Sequence, residues 1–358
     1  MQTELIDEAK RQIEICNACR YCEGYCAVFP AINRNRMFTE GDITQLANLC
    51  HNCRGCYYAC QYTEPHEFAL NLPKALDSVR QESWQDFAFP SAMAKAFHKS
   101  GVAIALATAL GFALIFLAIR ALSTYAEGGD GFYAVISHNA LIAIFLPAFL
   151  FPLTSLVISL KRYWRAVGGE PLRLSDLVTA FGSAAEMKNL AGGHGDGCNF
   201  EDEDRFSNAR RFRHQMVLYG FLLCFASTSV ATLMHYVLDM SAPYGLFSLP
   251  KLLGLPGGLL LSVGTLMMLE LKLKSDRTLA DNTVWNGEIA FILLLFLVST
   301  TGLALYALGG TGALTLLMAL HLGAVLAFFL LTPYSKMTHG FYRLAALTRE
   351  AQLQRPSS

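Results

Sequence analysis

The chain has 358 residues, 53% of them hydrophobic and 16% charged, and its 28 Lys and Arg balance its 28 Asp and Glu. That neutral, apolar balance carries no electrostatic footprint for nucleic acid. The averages conceal two halves: a polar, cysteine-rich first hundred residues, then long apolar runs.

In chain order, residues 4–15 place Leu5, Ile6, Ala9, Ile13 and Ile15 on a helical rhythm with charges between them. A charged, amphipathic start is unlike a cleavable secretory signal, so a reducing compartment is expected. Next come Cys16-x2-Cys19-x2-Cys22-x3-Cys26 and Cys50-x2-Cys53-x2-Cys56-x3-Cys60, which take eight of the ten cysteines. Two copies of this spacing are the bacterial-type ferredoxin signature for two [4Fe–4S] clusters, the fourth cysteine of each run ligating the other cluster. The expected ligand sets are Cys16, Cys19, Cys22 and Cys60 for one, and Cys50, Cys53, Cys56 and Cys26 for the other. Zinc sites more often show paired C-x2-C motifs, and a disulfide framework needs an oxidising compartment.

Between the runs, Asp42 is expected to cap a short helix over 43–49 that leads into Cys50. Pro65 and Pro73 bracket the exit from the second run, and Lys74–Glu82 reads as another helix. Strand signals are few, so the cysteine domain is predicted to be α-helical. Tyr21, Tyr25, Tyr57, Tyr58 and Tyr62 crowd the motifs and are expected to pack around the clusters.

Beyond residue 100, six stretches reach the length and apolarity of membrane spans, roughly 101–122, 134–160, 215–238, 256–273, 288–308 and 312–333. All Lys and Arg except Arg120 and Lys251 fall in 1–100, 161–213, 272–277 and 334–358. By the positive-inside rule these segments, both termini and the cysteine domain are predicted to lie in the cytoplasm, at a bacterial inner membrane.

Ionisable side chains inside spans are functional candidates. His214 opens the third span and His235 nearly closes it. His321 lies in the sixth, and His339 follows five turns later on the same face, if the helix runs past Pro333. Imidazole is a common axial ligand of haem iron, so His214 with His339 on the cytoplasmic side, and His235 with His321 on the outer side, are candidate ligands for one or two b-type haems. His138 is the reserve ligand. His51, His66, His98 and His194 read as solvent-facing or local structural residues. Lys336 and Arg343 are candidate partners of haem propionates.

The loop 161–213 carries a glycine run with Cys198, the acidic patch 201–204, and Arg210, Arg211 and Arg213. No strand precedes Gly192, which argues against a phosphate cradle. A docking loop against a partner flavoprotein or the cysteine domain is the expected reading.

The doubled cysteine motif, the six spans, Gly192-Gly193-His194-Gly195-Asp196-Gly197-Cys198, and the stretch from Thr332 to Arg343 (TPYSKMTHGFYR) resemble the tricarballylate/citrate-utilisation protein B family over nearly the whole chain. That resemblance implies an electron-transfer subunit that reoxidises a partner flavoprotein dehydrogenase, tricarballylate dehydrogenase-like, and delivers electrons to the membrane. The haem-bearing half also resembles the membrane (gamma) subunit of respiratory nitrate reductase, which shares the 18-residue histidine spacing at the last helix. The wider spacing of His214 and His235 departs from it.

The expected fold is therefore all-α: an N-terminal α-helical ferredoxin-like 2[4Fe–4S] domain (1–95), a six-helix transmembrane haem-binding bundle (96–345) and a C-terminal tail (346–358). The expected function is electron transfer from a reduced flavin through the two clusters and b-type haem to membrane quinone. A heterodisulfide- or nitrate-reductase-like assembly is the alternative. A citrate-type transporter is disfavoured because no inverted repeat or paired broken helices are evident.

Overall fold

The computed structural model describes residues 3–122, 135–193, 195–200, 205–240, 242–281, 283 and 285–355. His194 and the acidic patch 201–204 lie outside the described residues. Among the described residues the fold is all-α, with thirteen α-helices and no strand longer than the single bridge Cys198–Ser207.

Five helices build the cysteine domain: α1 (Thr3–Cys19), α2 (Val28–Asn33), α3 (Glu40–Leu49), α4 (Gly55–Tyr58) and α5 (Leu72–Phe87). Ile13, Ile32, Ile43, Leu49 and Leu76 pack into its core. Helix α1 runs beyond 4–15, so Cys16 and Cys19 lie in its last turn. Helix α3 starts earlier than the expected 43–49 because the cap is Thr39, not Asp42. The Thr39 Oγ1 accepts from the Asp42 backbone N–H at 3.2 Å, and the Asp42 carboxylate accepts from the Thr39 N–H at 2.9 Å. This reciprocal box satisfies two donors that the helix start would leave unpaired. Helix α5 is capped by Asn71, whose Oδ1 accepts from the Lys74 N–H at 3.2 Å.

Six helices are long and apolar enough to cross a membrane: α6 (Ser91–Leu122), α7 (His138–Ala166), α9 (Ala209–Leu238), α10 (Leu249–Lys274), α11 (Trp285–Leu308) and α12 (Leu314–Leu331). The chain is thus a multi-pass membrane protein. Helix α6 is broken at Ser100 (φ −136°, ψ 34°), which sets its polar first turns apart from the apolar 101–122 read in the sequence. Helices α9 and α10 approach closely through small residues. A Cβ on Gly220 would sit 2.6 Å from the Leu261 nitrogen, and one on Gly264 would sit 3.0 Å from that of Val217.

The last span does not continue to His339. Helix α12 ends at Leu331, the chain turns through 332–337 around Pro333, and α13 (Thr338–Leu353) sets off anew. Proline removes a backbone donor and clashes with the preceding turn, which accounts for the break. Helix α13 docks on the cysteine domain. Arg34 grips the Glu350 carboxylate with two bonds of 2.7 and 2.5 Å, and Gln45 Nε2 donates to the Ala346 carbonyl at 2.8 Å. The Tyr342 ring stacks on Trp84 at 5.9 Å. A boundary at residue 346 would therefore cut through a packed helix.

The α10–α11 connection meets the same domain: Asn71 Nδ2 donates to the Thr278 carbonyl at 3.2 Å, and the Asp281 N–H donates to the Asp77 carboxylate at 3.0 Å. Helix α8 (Leu174–Ala185) packs beside α13. The segments richest in Lys and Arg thus gather at the cysteine-domain end of the spans.

Candidate functional site

The two cysteine runs share one backbone feature, although the first begins in helix α1 and the second in a loop. In each, the residue after the second cysteine adopts the left-handed conformation, Arg20 at φ 58° and Arg54 at φ 66°, and so turns the backbone around its thiols. Cys16, Cys19, Cys22 and Cys60 line a cavity of about 220 Å³, with Cys56 and Tyr57 also in its wall. Burial, then the neighbouring Cys60, pushes the Cys16 and Cys22 thiols up to about 12. The second set is more enclosed. Burial, followed by the proximity of Cys53 and Cys50, raises the Cys26 thiol well above its ordinary range. The fourth cysteine of each run thus lies with the first three of the other.

All ten cysteines are free thiols. Among the described residues no three His, Cys, Asp or Glu side chains converge on a single metal ion. The first set instead surrounds open space, which fits a polynuclear core held at its corners. Thiols kept neutral by burial must release protons when such a core binds. Of the tyrosines, Tyr57 and Tyr62 line the cavity, whereas Tyr21 at its rim is 69% exposed.

The glycine-rich segment covers the cysteine domain rather than standing free. A Cβ on Gly193 would fall 1.4 Å from the Gly24 carbonyl oxygen. The Asn199 N–H donates to the Cys53 carbonyl at 3.0 Å, and Arg54 Nη1 donates to the Phe200 carbonyl at 3.1 Å. The Phe200 ring receives the Arg54 and Arg210 guanidinium groups at 4.6 and 3.9 Å from its centre. Cys198 is buried in this contact, packed with Cys53, Phe200 and Leu271.

At the membrane border, His214 on α9 meets His339 on α13, their rings 5.8 Å apart and inclined at 81°. Metal-bound imidazole nitrogens sit ~2 Å from the metal, so two rings on opposite sides of one ion have centres ~6 Å apart. His339 Nδ1 contacts the Lys336 carbonyl, which can only accept, so this nitrogen carries the proton and Nε2 keeps its lone pair. Burial, then His214 beside it, holds His339 well below the usual imidazole range and therefore neutral. An oriented, neutral imidazole is the ligand form metals require.

The other candidates are placed differently. His235 meets His138, ring centres 4.6 Å apart, and the Tyr236 hydroxyl lies 3.0 Å from His138 Nε2. His321 faces α11, where Thr301 Oγ1 lies 3.1 Å from its Nδ1. The expected pairing of His235 with His321 gives way to His235 with His138, because the ring nearest His235 comes from α7 rather than α12. Lys336, a candidate propionate partner, forms an ion pair with Glu288, which Lys272 also pairs. Arg343 Nη2 donates to the Cys50 carbonyl at 2.6 Å, while its Nε and Nη1 are buried with no partner among the described residues.

Sequence reasoning missed the arginines as a group. Arg80 and Arg343 share the Cys50 carbonyl, and Arg210 binds the Asn52 carbonyl at 2.8 Å. Arg210 with His214, and His339 with Arg343, are spaced one helical turn apart, a signal available in the sequence.

These features define a multi-pass membrane protein with a ferredoxin-type cysteine domain at one end of its spans. A family model for citrate utilization protein B matches residues 94–358, and one for the Fer4-like domain of citrate utilization protein B matches residues 9–86. The chain is 43% identical to citrate utilization protein B of Escherichia coli over 355 residues, covering 98% of this chain and 93% of that one. It belongs to the citrate utilization protein B family, as the motif resemblance led us to expect. No solved structure matches it.

Proposed function

We propose that this protein is an electron-transfer subunit at the bacterial cytoplasmic membrane, with its cysteine domain on the cytoplasmic side. It takes electrons from the reduced flavin of a partner dehydrogenase acting on tricarballylate or a citrate-like acid, and delivers them to quinone. The observation that carries this reading is that Arg210 and Arg343, each one helical turn from a member of the His214–His339 pair, donate to the Asn52 and Cys50 carbonyls of the second cysteine run. On this reading electrons pass from the thiol domain to the histidine pair across these two contacts.

Cys16, Cys19, Cys22 and Cys60 would hold one [4Fe–4S] cluster, and Cys50, Cys53, Cys56 and Cys26 the other. His214 and His339 would hold a b-type haem. When bound, these groups supply one-electron carriers that couple a two-electron donor to a two-electron acceptor. The chain's own residues do the rest. Cys19 and Tyr21 open the first set to an approaching partner, and the glycine-rich segment seals the second from water. The Lys336 carbonyl fixes which nitrogen His339 presents. Membership of the citrate utilization protein B family supports the substrate class, and the distribution of Lys and Arg supports the orientation.

The test is a reduced-minus-oxidised visible spectrum of the purified protein with iron and pyridine-haemochrome counts. About eight non-haem irons per chain and a b-type signal are expected. Absence of haem would overturn the histidine relay, and about four irons would overturn the two-cluster reading.

A further inference from the structure

The surroundings of the two thiol sets differ in one respect that their identical spacing conceals. The wall of the first cavity contains no charged side chain, and Cys19 and Tyr21 leave it open to solvent. The second run is encircled by four guanidinium groups. Arg80 and Arg343 both donate to the Cys50 carbonyl, at 2.7 and 2.6 Å, and Arg210 donates to the Asn52 carbonyl at 2.8 Å. Arg54, within the run, is 1% exposed and stands with Arg210 on the Phe200 ring.

Of these four, only Arg80 has a carboxylate partner among the described residues, namely Asp77. Arg54 Nε and Nη2, Arg210 Nε, and Arg343 Nε and Nη1 are buried without an acceptor among the described residues. Buried cations demand compensating negative charge. The comparison between the runs is sharpest at Arg20 and Arg54, which occupy the same position and backbone conformation. Arg20 is exposed, and its Nε bonds back to the Asn17 carbonyl at 3.1 Å. Arg54 turns inward.

We infer that the arginines around the second run, Arg343 and Arg210 foremost, hold its cluster at a higher reduction potential than that of the first, so that electrons arriving at the open set are drawn inward toward His214 and His339. This rests on the proposal that both runs hold [4Fe–4S] clusters. A four-thiolate cubane bears net negative charge and gains one more negative charge on reduction, with only an electron arriving and no bond made or broken. Fixed positive charge in a buried site stabilises the more negative, reduced form, and net charge and burial are what set cluster potentials. Arg343 and Arg210 act through the field and through the carbonyls of Cys50 and Asn52, so they are positioning residues rather than ligands.

The experiment is a redox titration of the full-length protein in detergent or nanodiscs, followed by EPR, with iron counted in every variant. Cys60→Ala and Cys26→Ala assign the steps, each removing one. The expected result is two separate steps in the unaltered protein, the higher belonging to the second set. Arg343→Gln should lower that step by a factor of ten or more in the one-electron equilibrium, about 59 mV, and leave the lower step in place. Arg210→Gln, which removes the contact to the Asn52 carbonyl and the guanidinium from the Phe200 ring, should act in the same direction. Arg343→Lys should retain the potential, and Arg20→Gln should move neither step. If Arg343→Gln and Arg210→Gln keep their iron and leave the higher step unmoved, or if the lower step moves instead, the inference is overturned while the two-cluster reading stands. A protein with too little iron for two clusters and only one step would overturn both together.

Discussion

The His214 and His339 rings, one from the third span and one from the helix that follows the sixth, meet at 5.8 Å where the membrane bundle joins the cysteine domain. Their backbones are positioned by different means. His214 rides in the first turns of a long apolar helix, whereas His339 is delivered by the turn at Pro333 and held by α13 on the cysteine domain. If the pair ligates one haem, either imidazole alone is insufficient for stable six-coordinate binding.

His214→Ala and His339→Ala are each expected to abolish the b-type band in the reduced-minus-oxidised spectrum while leaving the iron–sulfur content in place. His321→Ala, whose ring contacts Thr301, is expected to leave that band present. A band that survives both His214→Ala and His339→Ala would remove these residues as ligands.

The crossed pairing of the cysteine runs makes a sharper statement about iron. Cys60→Ala should cost the first cluster and Cys26→Ala the second, each lowering the count from about eight irons toward about four. Cys198→Ser, although buried against Cys53, should leave the count unchanged. Iron analysis of the three purified variants decides this.

Stability of the cysteine domain should depend on the buried Asp77–Arg80 pair, whose side chains are 3% and 4% exposed. Burial raises the Asp77 carboxyl, but Arg80, Lys336 and the Asp281 N–H together outweigh that effect and hold it below its ordinary value. The folded-state pKa is depressed, so the stabilisation is present above the unfolded carboxylate pKa of ~4 and is lost as pH falls through the lower folded value. Asp77→Ala leaves Arg80 buried and uncompensated, at a cost of ~3–5 kcal/mol. Thermal unfolding of the variant should show this loss near neutral pH and a weaker dependence on acid than the unaltered protein.

Gly193 lies so close to the Gly24 carbonyl that no side chain fits between them. Gly193→Ala should therefore lift the glycine-rich segment from the first run and expose 205–213 to protease. Tryptic cleavage there, measured against the unaltered protein in the same detergent, should accelerate. An unchanged rate would mean that the segment does not depend on this contact.

The parts legible in the sequence are those encoded locally. Thiol spacing and apolar runs lie within a few turns of chain, so the two motifs and the six spans could be read directly, and charge distribution brought His214 and His339 to one end. Capping was read one step off, since Asp42 looks like a cap until Thr39 supplies the reciprocal bond. The contacts that were not legible join distant segments. His235 meets His138 of a different span, α13 closes onto α3 and α8, and the glycine-rich segment lies over Gly24 and Cys53. Arg54, Arg210 and Arg343 looked like ordinary basic residues at a membrane border, and only the fold gathers them around one carbonyl-lined loop.

The proposed path runs from the thiols through the histidine pair to quinone. It is tested most directly by reducing the purified protein in lipid nanodiscs, adding a short-chain quinone under anaerobic conditions, and recording the visible spectrum on mixing. The account predicts that the iron–sulfur and b-type bands both return to their oxidised form in the unaltered protein, and that cluster oxidation slows at least tenfold in His339→Ala. Reduced bands that persist after quinone is added to protein with full iron and haem content would contradict it.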